Sequence, residues 1–271
     1  MLRSALRSTS TLLLACLLSL DARAQTWTLP VKPPLKQSVP RTWRVMSEYQ
    51  IMDLHGVILS RQRASALYTR EGDRARWSHA ELAFANGGTS TYSEGQPRAF
   101  MEGFSYPYAE APNMTKAAFL KGFPQDASLE RNLVWDTHMF EFFGQDWLGR
   151  LRLNEAFVVP PGESSSVDLA GTGTFRNHRI ELTWTGLSQR QGRPCAVVDY
   201  RAFHNTLDLV VPAKLKGRSH YWGQIWLSQE TGQVEYATLF EDVLGEISLP
   251  GQAIPMMMNV FRTATLEPLG K

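Results

Sequence analysis

Three turn signals in the first third of the chain constrain its fold more than any other feature. From Thr42 the apolar residues recur at alternate positions, with Trp43, Val45, Tyr49 and Ile51 on one face and Arg44, Glu48 and Gln50 on the other. That is the pattern of a half-buried strand. His55-Gly56 suits a hairpin turn, and Val57 to Thr69 reads as the returning strand. Glu71-Gly72-Asp73 is a second turn, Arg74 to Phe84 a third strand, and Asn86-Gly87-Gly88 a third turn. Further strands are expected over Thr89 to Glu94 and near Arg98 to Phe104. A parallel neighbour would need a crossover of about a dozen residues or more, so connections this short dictate an antiparallel meander.

The period changes in the middle of the chain. Asn113 is a cap for a helix over Met114 to Lys121, with Gly122 as its stop and Pro124 beyond. A second helix starts at Asp126 or Ser128 and stops at Gly144. It carries Leu129, Leu133, Trp135, Met139, Phe140, Phe142 and Phe143, so it is apolar around most of its girth and needs cover on more than one side. The open concave face of a curved sheet supplies that cover. Strand signals resume after Pro160-Pro161-Gly162, near Val167 to Phe175, His178 to Ser188, Cys195 to Phe203, Thr206 to Val211, Ser219 to Ser228, Gln233 to Glu241 and Met257 to Glu267. The expected fold is mainly β: a strongly curved, half-barrel-like antiparallel sheet with a central helical insertion, near residues 113–144, packing on its concave face.

Glu230-Thr231-Gly232 makes Ser219 to Ser228 and Gln233 to Glu241 a hairpin. An even register puts Tyr221, Ile225 and Leu227 on one face with Val234, Tyr236 and Phe240. His220, Trp222, Gln224 and Trp226 then lie on the other face with Glu235, Ala237, Leu239 and Glu241. A slip of one residue sets apolar against polar on both faces, so the even register is the expectation.

The N-terminus speaks to compartment. Arg3 and Arg7 precede an apolar core from Leu12 to Leu20, and Ala22-Arg23-Ala24 is a small-x-small site before Gln25. This is the pattern of a cleaved secretory signal, and its apolar run is too short to span a bilayer. Residues 1–24 therefore read as a signal peptide, 25–41 as a proline-rich extended leader and 42–268 as a single β-rich domain, located in a periplasm or secreted. Leu13-Leu14-Ala15-Cys16 also resembles a lipobox, with Cys16 as the acceptor, although the apolar run continues past it. The whole chain has 28 Lys and Arg against 26 Asp and Glu. Removing Arg3, Arg7, Arg23 and Asp21 with the signal leaves 25 of each. A neutral chain lacks the clustered cations that phosphate binding requires, which argues against nucleic acid as a partner. Only Cys195 lies beyond residue 24, so no internal disulfide and no cysteine-based metal site is expected.

Reactive motifs are few. Gly217-Arg218-Ser219-His220-Tyr221 lacks the final Gly of a nucleophile elbow and precedes a strand rather than a helix. Ile254-Pro-Met-Met-Met-Asn-Val260 is read as flexible apolar filler in an irregular core rather than a copper site, because adjacent strand residues point to opposite faces. None of His55, His79, His138, His178, His204 and His220 is spaced as a ligand pair, so neither a metal nor a cofactor is expected. His220 with Glu241, Asp242, Glu235 and Asp199 is the one grouping that suggests hydrolysis.

The remaining signal is aromatic. Trp135, Phe140 and Phe143 on the central helix, with His220, Trp222 and Trp226 on a strand expected to face it, are the candidate ligand-binding residues. Tyr106-Pro107-Tyr108-Ala-Glu-Ala-Pro112 is a candidate lid. The order of elements over Thr42 to Glu267, with Gly223 to Gly232 followed by Val234 to Leu239 as a strand-turn-strand unit, resembles the LolA/RseB-type periplasmic half-barrel family of lipoprotein carriers and sensors. The resemblance implies an exported, non-catalytic protein that binds a hydrophobic small molecule or a lipidated protein in its concave sheet, with peripheral membrane contact allowed. Two alternatives stand beside it: a structural or protein-interaction module of the envelope with a filled core, and a hydrolase using His220 and acidic neighbours.

Overall fold

The structure is a computed structural model that describes Leu29 and residues 37–160, 166–210, 214–248 and 254–270. The expected signal peptide, the lipobox-like stretch ending at Cys16 and most of the leader lie outside the described residues. Thirteen strands of the described residues form one antiparallel sheet that does not close into a barrel. Its main order is β4-β3-β2-β1-β13-β12-β11-β10-β8-β7, with β9 alongside β10, β6 on β9 and β5 on β3. The first meander comprises β1 (Gln37–Met52), β2 (Ile58–Gly72), β3 (Arg74–Asn86), β4 (Gln96–Pro97) and β5 (Ser105–Pro107). The middle strands are β6 (Ala156–Val158), β7 (Ser166–Asp168) and β8 (Gly173–Arg176). The second meander is β9 (Ile180–Arg190), β10 (Arg193–Leu209), β11 (Lys214–Ser228), β12 (Val234–Ser248) and β13 (Met256–Pro268). Ten paired positions of β1 and β13, from Trp43↔Pro268 to Met52↔Asn259, join the two meanders.

Helix α1 (Ser128–Gln145) packs against this sheet, as its apolar girth requires. Its side chains reach Tyr49 on β1, Tyr68 and Arg70 on β2, Arg262 on β13 and Tyr200 on β10. From β2 to β10 is five strand intervals, roughly 24 Å in a flat sheet at about 4.8 Å each. A helix is only about 10–12 Å across with its side chains, so the sheet must wrap around it. Gly144 lies within the helix rather than at its stop. A Cβ there would come within 2.8 Å of Leu227 Cδ2 and 3.2 Å of Ile225 Cγ2, so the missing side chain is what lets helix and β11 meet. The core is continuous along this contact and includes Val45, Ala64, Trp77, Leu133, Val134, Phe140, Val198, Ile225 and Leu239.

Several expectations are corrected. Residues 114–121 form turns rather than a helix. So short a helix is marginal on its own, and its carbonyls are drawn elsewhere: Thr115 O accepts from Ala170 N and Met114 O from Trp135 Nε1. No strand occupies 89–94, and 99–101 is a 3₁₀ turn, so the first meander dwindles into the short strands β4 and β5. The stretches read as strands at Cys195 and Thr206 are one strand, β10, with a bulge between Ala202 and Asn205 where His204 takes a positive φ of 60°. The stretch from Val167 to Phe175 is a small hairpin, β7 and β8. Strand β1 begins at Gln37, inside the proline-rich leader, and Leu29 of that leader is buried in the core.

The largest correction concerns the β11–β12 hairpin. Its pairs are Tyr221↔Glu241, Trp222↔Phe240, Ile225↔Ala237 and Trp226↔Tyr236, then Leu227↔Val234 across a bulge that leaves Glu235 as the extra residue. One inserted residue reverses the alternation of the rest of the strand. Glu241, Leu239 and Ala237 therefore share the inner face with Tyr221 and Ile225, while Phe240, Thr238 and Tyr236 share the outer face with Trp222, Gln224 and Trp226.

Candidate functional site

The inner face beneath the helix holds ions as well as apolar side chains. Asp136, buried on α1, pairs with Arg262 on β13; Arg262 also donates to Glu241 Oε2 at 2.8 Å and to Ser47 Oγ at 3.2 Å. Ser219 Oγ donates to the other Glu241 oxygen at 2.7 Å. One turn further along, Glu141 accepts from Arg70 at 3.0 Å and from the Tyr68 hydroxyl at 3.1 Å, while the Arg70 guanidinium lies 3.4 Å over the Tyr108 ring. Glu130, also on α1, pairs with Arg98. The inward turn of Glu241 is thus compensated by an arginine on the adjacent strand, which is why the register disfavoured by apolar pairing is the one adopted. At the far end of the hairpin, the bulged Glu235 is gripped through both oxygens by Arg41 and bonded by Arg193 at 3.1 Å.

Burial is the leading influence on these groups. It raises the Asp136 and Glu141 carboxyls above the usual carboxylate range, with Arg262 and Arg70 respectively pulling the other way. Burial works to lower Arg262, but Asp136, Tyr49 and Glu241 hold it far above its ordinary value. His138, on α1, is lowered to about 4 by burial, and its buried Nδ1 has no hydrogen-bond partner among the described residues. Burial pushes the Cys195 thiol up to about 11, and Cys195 is a free, buried cysteine.

Beyond the Tyr49–Arg262–Glu241–Tyr221 level, the inner face changes character. The next cross-strand row is Ile51, Val260, Val243 and Ser219; further on come Met258 with Leu207 and Phe175, then Met256, Ile247, Leu215 and Leu209. Directly paired antiparallel residues share a face, so these apolar side chains line one continuous surface. Ile51, Met258, Val260 and Ile247 are half-buried, and Met256 is 47 % exposed. The methionine run read as core filler is therefore the open end of this surface, with Met257 exposed on the other face. The β1–β2 hairpin exposes Leu54, Val57 and Leu59 at the same end.

The outer face carries a groove of about 640 Å³ that reaches from β9 across β10 and β11 to β12. Trp222 and Phe240 stack in it at 6.0 Å and 23°. Its floor is thin, because Gly223 has no side chain. A Cβ there would overlap Thr238 O and lie 2.6 Å from the Tyr200 hydroxyl, which crosses beneath Gly223 to donate to Thr238 O at 2.7 Å.

The sheet divides the six candidate ligand-binding residues. Phe140 and Phe143 are buried within 6.4 and 5.3 Å of the Tyr200 ring, and Trp135 is half-buried with its indole N–H on Met114 O. Trp222, Trp226 and His220 are on the opposite face: Trp226 stands edge-on to Tyr236, and His220 edge-on to His204 at 5.2 Å, its Nδ1 accepting from His204 N. They do not face the helix, because Tyr221, Ile225 and Leu227, one position out of phase on the same strand, are the residues that take the inner face. The candidate lid is a built part of the core: Ser105–Pro107 pairs with β3, and buried Tyr106 packs on Phe119 at 4.8 Å. The acidic neighbours proposed for hydrolysis are divided as well. Glu241 and Glu235 point inward to arginines, Asp199 lines the outer groove, and Asp242 alone pairs opposite His220. Ser219 and His220 lie on opposite faces. Among the described residues no three His, Cys, Asp or Glu side chains group as a metal site, and no helix is long and apolar enough to cross a membrane. The buried carboxylates of α1 were missed by sequence reading; Glu130, Asp136 and Glu141 recur on the helix among its large apolar residues, which is the one local sign of them.

No protein-family model matches the chain, and a search of curated proteins returns no match.

Proposed function

We propose that this is an exported, non-catalytic envelope protein that takes a hydrophobic ligand or a lipidated partner on the inner face of its curved sheet, at the end that α1 leaves open. The supporting observation is the apolar surface from Ile51 and Val260 to Met256 and Ile247, which continues past the ionic level at Arg262 and is only partly covered. Apolar surface of this kind, bounded by polar groups, marks binding sites more often than it is left bare. Export rests on the N-terminal pattern of residues 1–24, and membership of the LolA/RseB-type half-barrel family is proposed on element order together with the open, helix-packed sheet. In this reading Phe140 and Phe143 pack the sealed part of the inner face and do not belong to the ligand surface.

The competing module with a filled core draws support from the tight packing of Leu133, Val134, Phe140 and Phe143 beneath the sheet. Native mass spectrometry on residues 25–271, purified from a periplasm without detergent, separates the two. A ligand-binding protein carries an adduct of acyl-lipid mass that Met256→Asp and Ile247→Asp remove while leaving the unfolding midpoint in place. A bare mass that persists after incubation with phospholipid vesicles and a lipopeptide defeats the ligand reading.

A further inference from the structure

The outer groove lies on the face opposite the proposed hydrophobic site, and strand register orders its lining into two rows. One row crosses the sheet as Glu181, Arg201, Trp222 and Phe240; the other, two residues along each strand, as Thr183, Asp199, Gln224 and Thr238. The rows are about 7 Å apart. Trp222 and Phe240 are 38 % and 36 % exposed on a face that would ordinarily be polar, and Phe203, 40 % exposed, extends the aromatic surface.

The charges in and beside this groove are matched. Arg201 and Arg179 both bond Glu181 at 2.6 Å, and Gln224 Nε2 donates to Asp199 at 2.9 Å. Both arginines answer Glu181 and Asp199 is met by a neutral amide, so the four side chains carry no net charge and the patch as a whole selects for neither an anion nor a cation. A wholly apolar occupant would strip water from the Thr183, Asp199, Gln224 and Thr238 row without replacing its hydrogen bonds. Asp199, Gln224 and Thr238 each have more donor or acceptor capacity than their bonds to one another use. The surface therefore calls for an uncharged molecule with one flat apolar face and a rim of hydroxyls.

We infer that the outer groove is a binding site for a neutral saccharide, whose pyranose face stacks on Trp222 and Phe240 while its hydroxyls bond to the neighbouring polar row. The volume of about 640 Å³ falls within the range of small-molecule sites and accommodates a short segment of a chain rather than a single atom cluster. The site is independent of the inner-face ligand, and either can exist without the other.

The test is isothermal titration calorimetry of residues 25–271 with maltohexaose, cellohexaose and chitohexaose. Saturable binding of at least one glycan is expected, weakened on the order of tenfold by Trp222→Ala and retained by Trp222→Phe. Gln224→Ala is expected to weaken the same glycan several-fold, since it removes a hydrogen-bonding group from the second row. Urea midpoints for all three variants close to that of the parent exclude unfolding as the cause. Absence of binding to all three glycans at millimolar concentration overturns the proposal, as does glycan binding that neither Trp222→Ala nor Gln224→Ala alters. A groove that takes up an apolar fluorescent dye and none of the glycans also overturns it and marks the patch as a protein-docking surface.

Discussion

The two halves of the inner face invert the usual expectation about where charge belongs. Under α1 the sheet is sealed, and there it holds Arg262, Asp136, Glu241, Arg70 and Glu141; past the helix it is only partly covered, and there it is lined by Ile51, Val260, Met258 and Ile247. The difference lies in partners. Ions survive burial where each meets an opposite charge and neutral donors, as Arg262 meets Asp136, Glu241 and Ser47. The apolar half is covered less completely: Val243 and Leu215 are buried, while Ile51, Val260, Met258 and Ile247 are half-buried and Met256 is exposed. The covered half specifies how the helix sits, and the partly covered half is where the proposed ligand would lie.

The strongest way to break that contrast is to remove the central cation. Arg262→Ala leaves Asp136 and Glu241 buried without their shared partner and is expected to cost about 3–5 kcal/mol, read from urea unfolding. Its counterpart on the open surface, Met256→Lys, is expected to stay within about 0.5 kcal/mol, because the side chain is already half in water. Equal losses for the two variants would erase the distinction between the halves.

Gly223→Ala comes next, at about 1–3 kcal/mol, since the added methyl meets Thr238 backbone and the Tyr200 hydroxyl rather than a movable side-chain end. Gly144→Ala is expected to cost less, because its nearest obstacle is the flexible tip of Leu227. The order of these two variants in a thermal unfolding series checks whether the sheet or the helix contact is the stiffer element.

Acidity sharpens the comparison, since His138 and the carboxyls act in opposite directions. His138 is lowered from 6.5 to about 4, so between those values the unfolded chain binds more protons. Stability from this residue is therefore present above pH 6.5 and lost as pH falls toward 4. His138→Gln removes that dependence, by about 1–3 kcal/mol between pH 7 and 4.5, measured as the change in the difference between wild-type and variant urea midpoints. Asp136 and Glu141 are raised, so their contribution is fully present below the ordinary carboxylate range and declines as pH rises through their folded values. Tyr200→Phe is expected to cost about 1 kcal/mol, read from urea unfolding, for the single bond to Thr238 O.

Much of the candidate site was hidden by one residue of register. The aromatic residues of Ser219 to Ser228 were visible from composition, and the hairpin was visible from Glu230-Thr231-Gly232. The bulge at Glu235 was not, because its cause is the pair of arginines, Arg41 and Arg193, that hold the extra residue from distant strands. The apolar pattern favoured the register that the structure rejects, since pattern alone counts Glu241 as an outward residue. The exposed end differs from its composition for a similar reason: Met256 and Met257 have the composition of core, and only the extent of α1 leaves them uncovered.

What the sequence determined by itself is therefore local: alternating strands joined by turns too short for crossovers, and one central helix, α1, apolar enough to demand cover. Those signals are carried by residues within a turn or a few strand positions of one another, where backbone geometry alone enforces them. Tertiary structure decided the rest. It joined β1 to β13 across more than 200 residues, turned Glu241 inward to Arg262, and set Trp222 and Phe240 on the outer face. Each of these depends on which distant partner answers a strand edge or a buried charge, and no local periodicity records that choice.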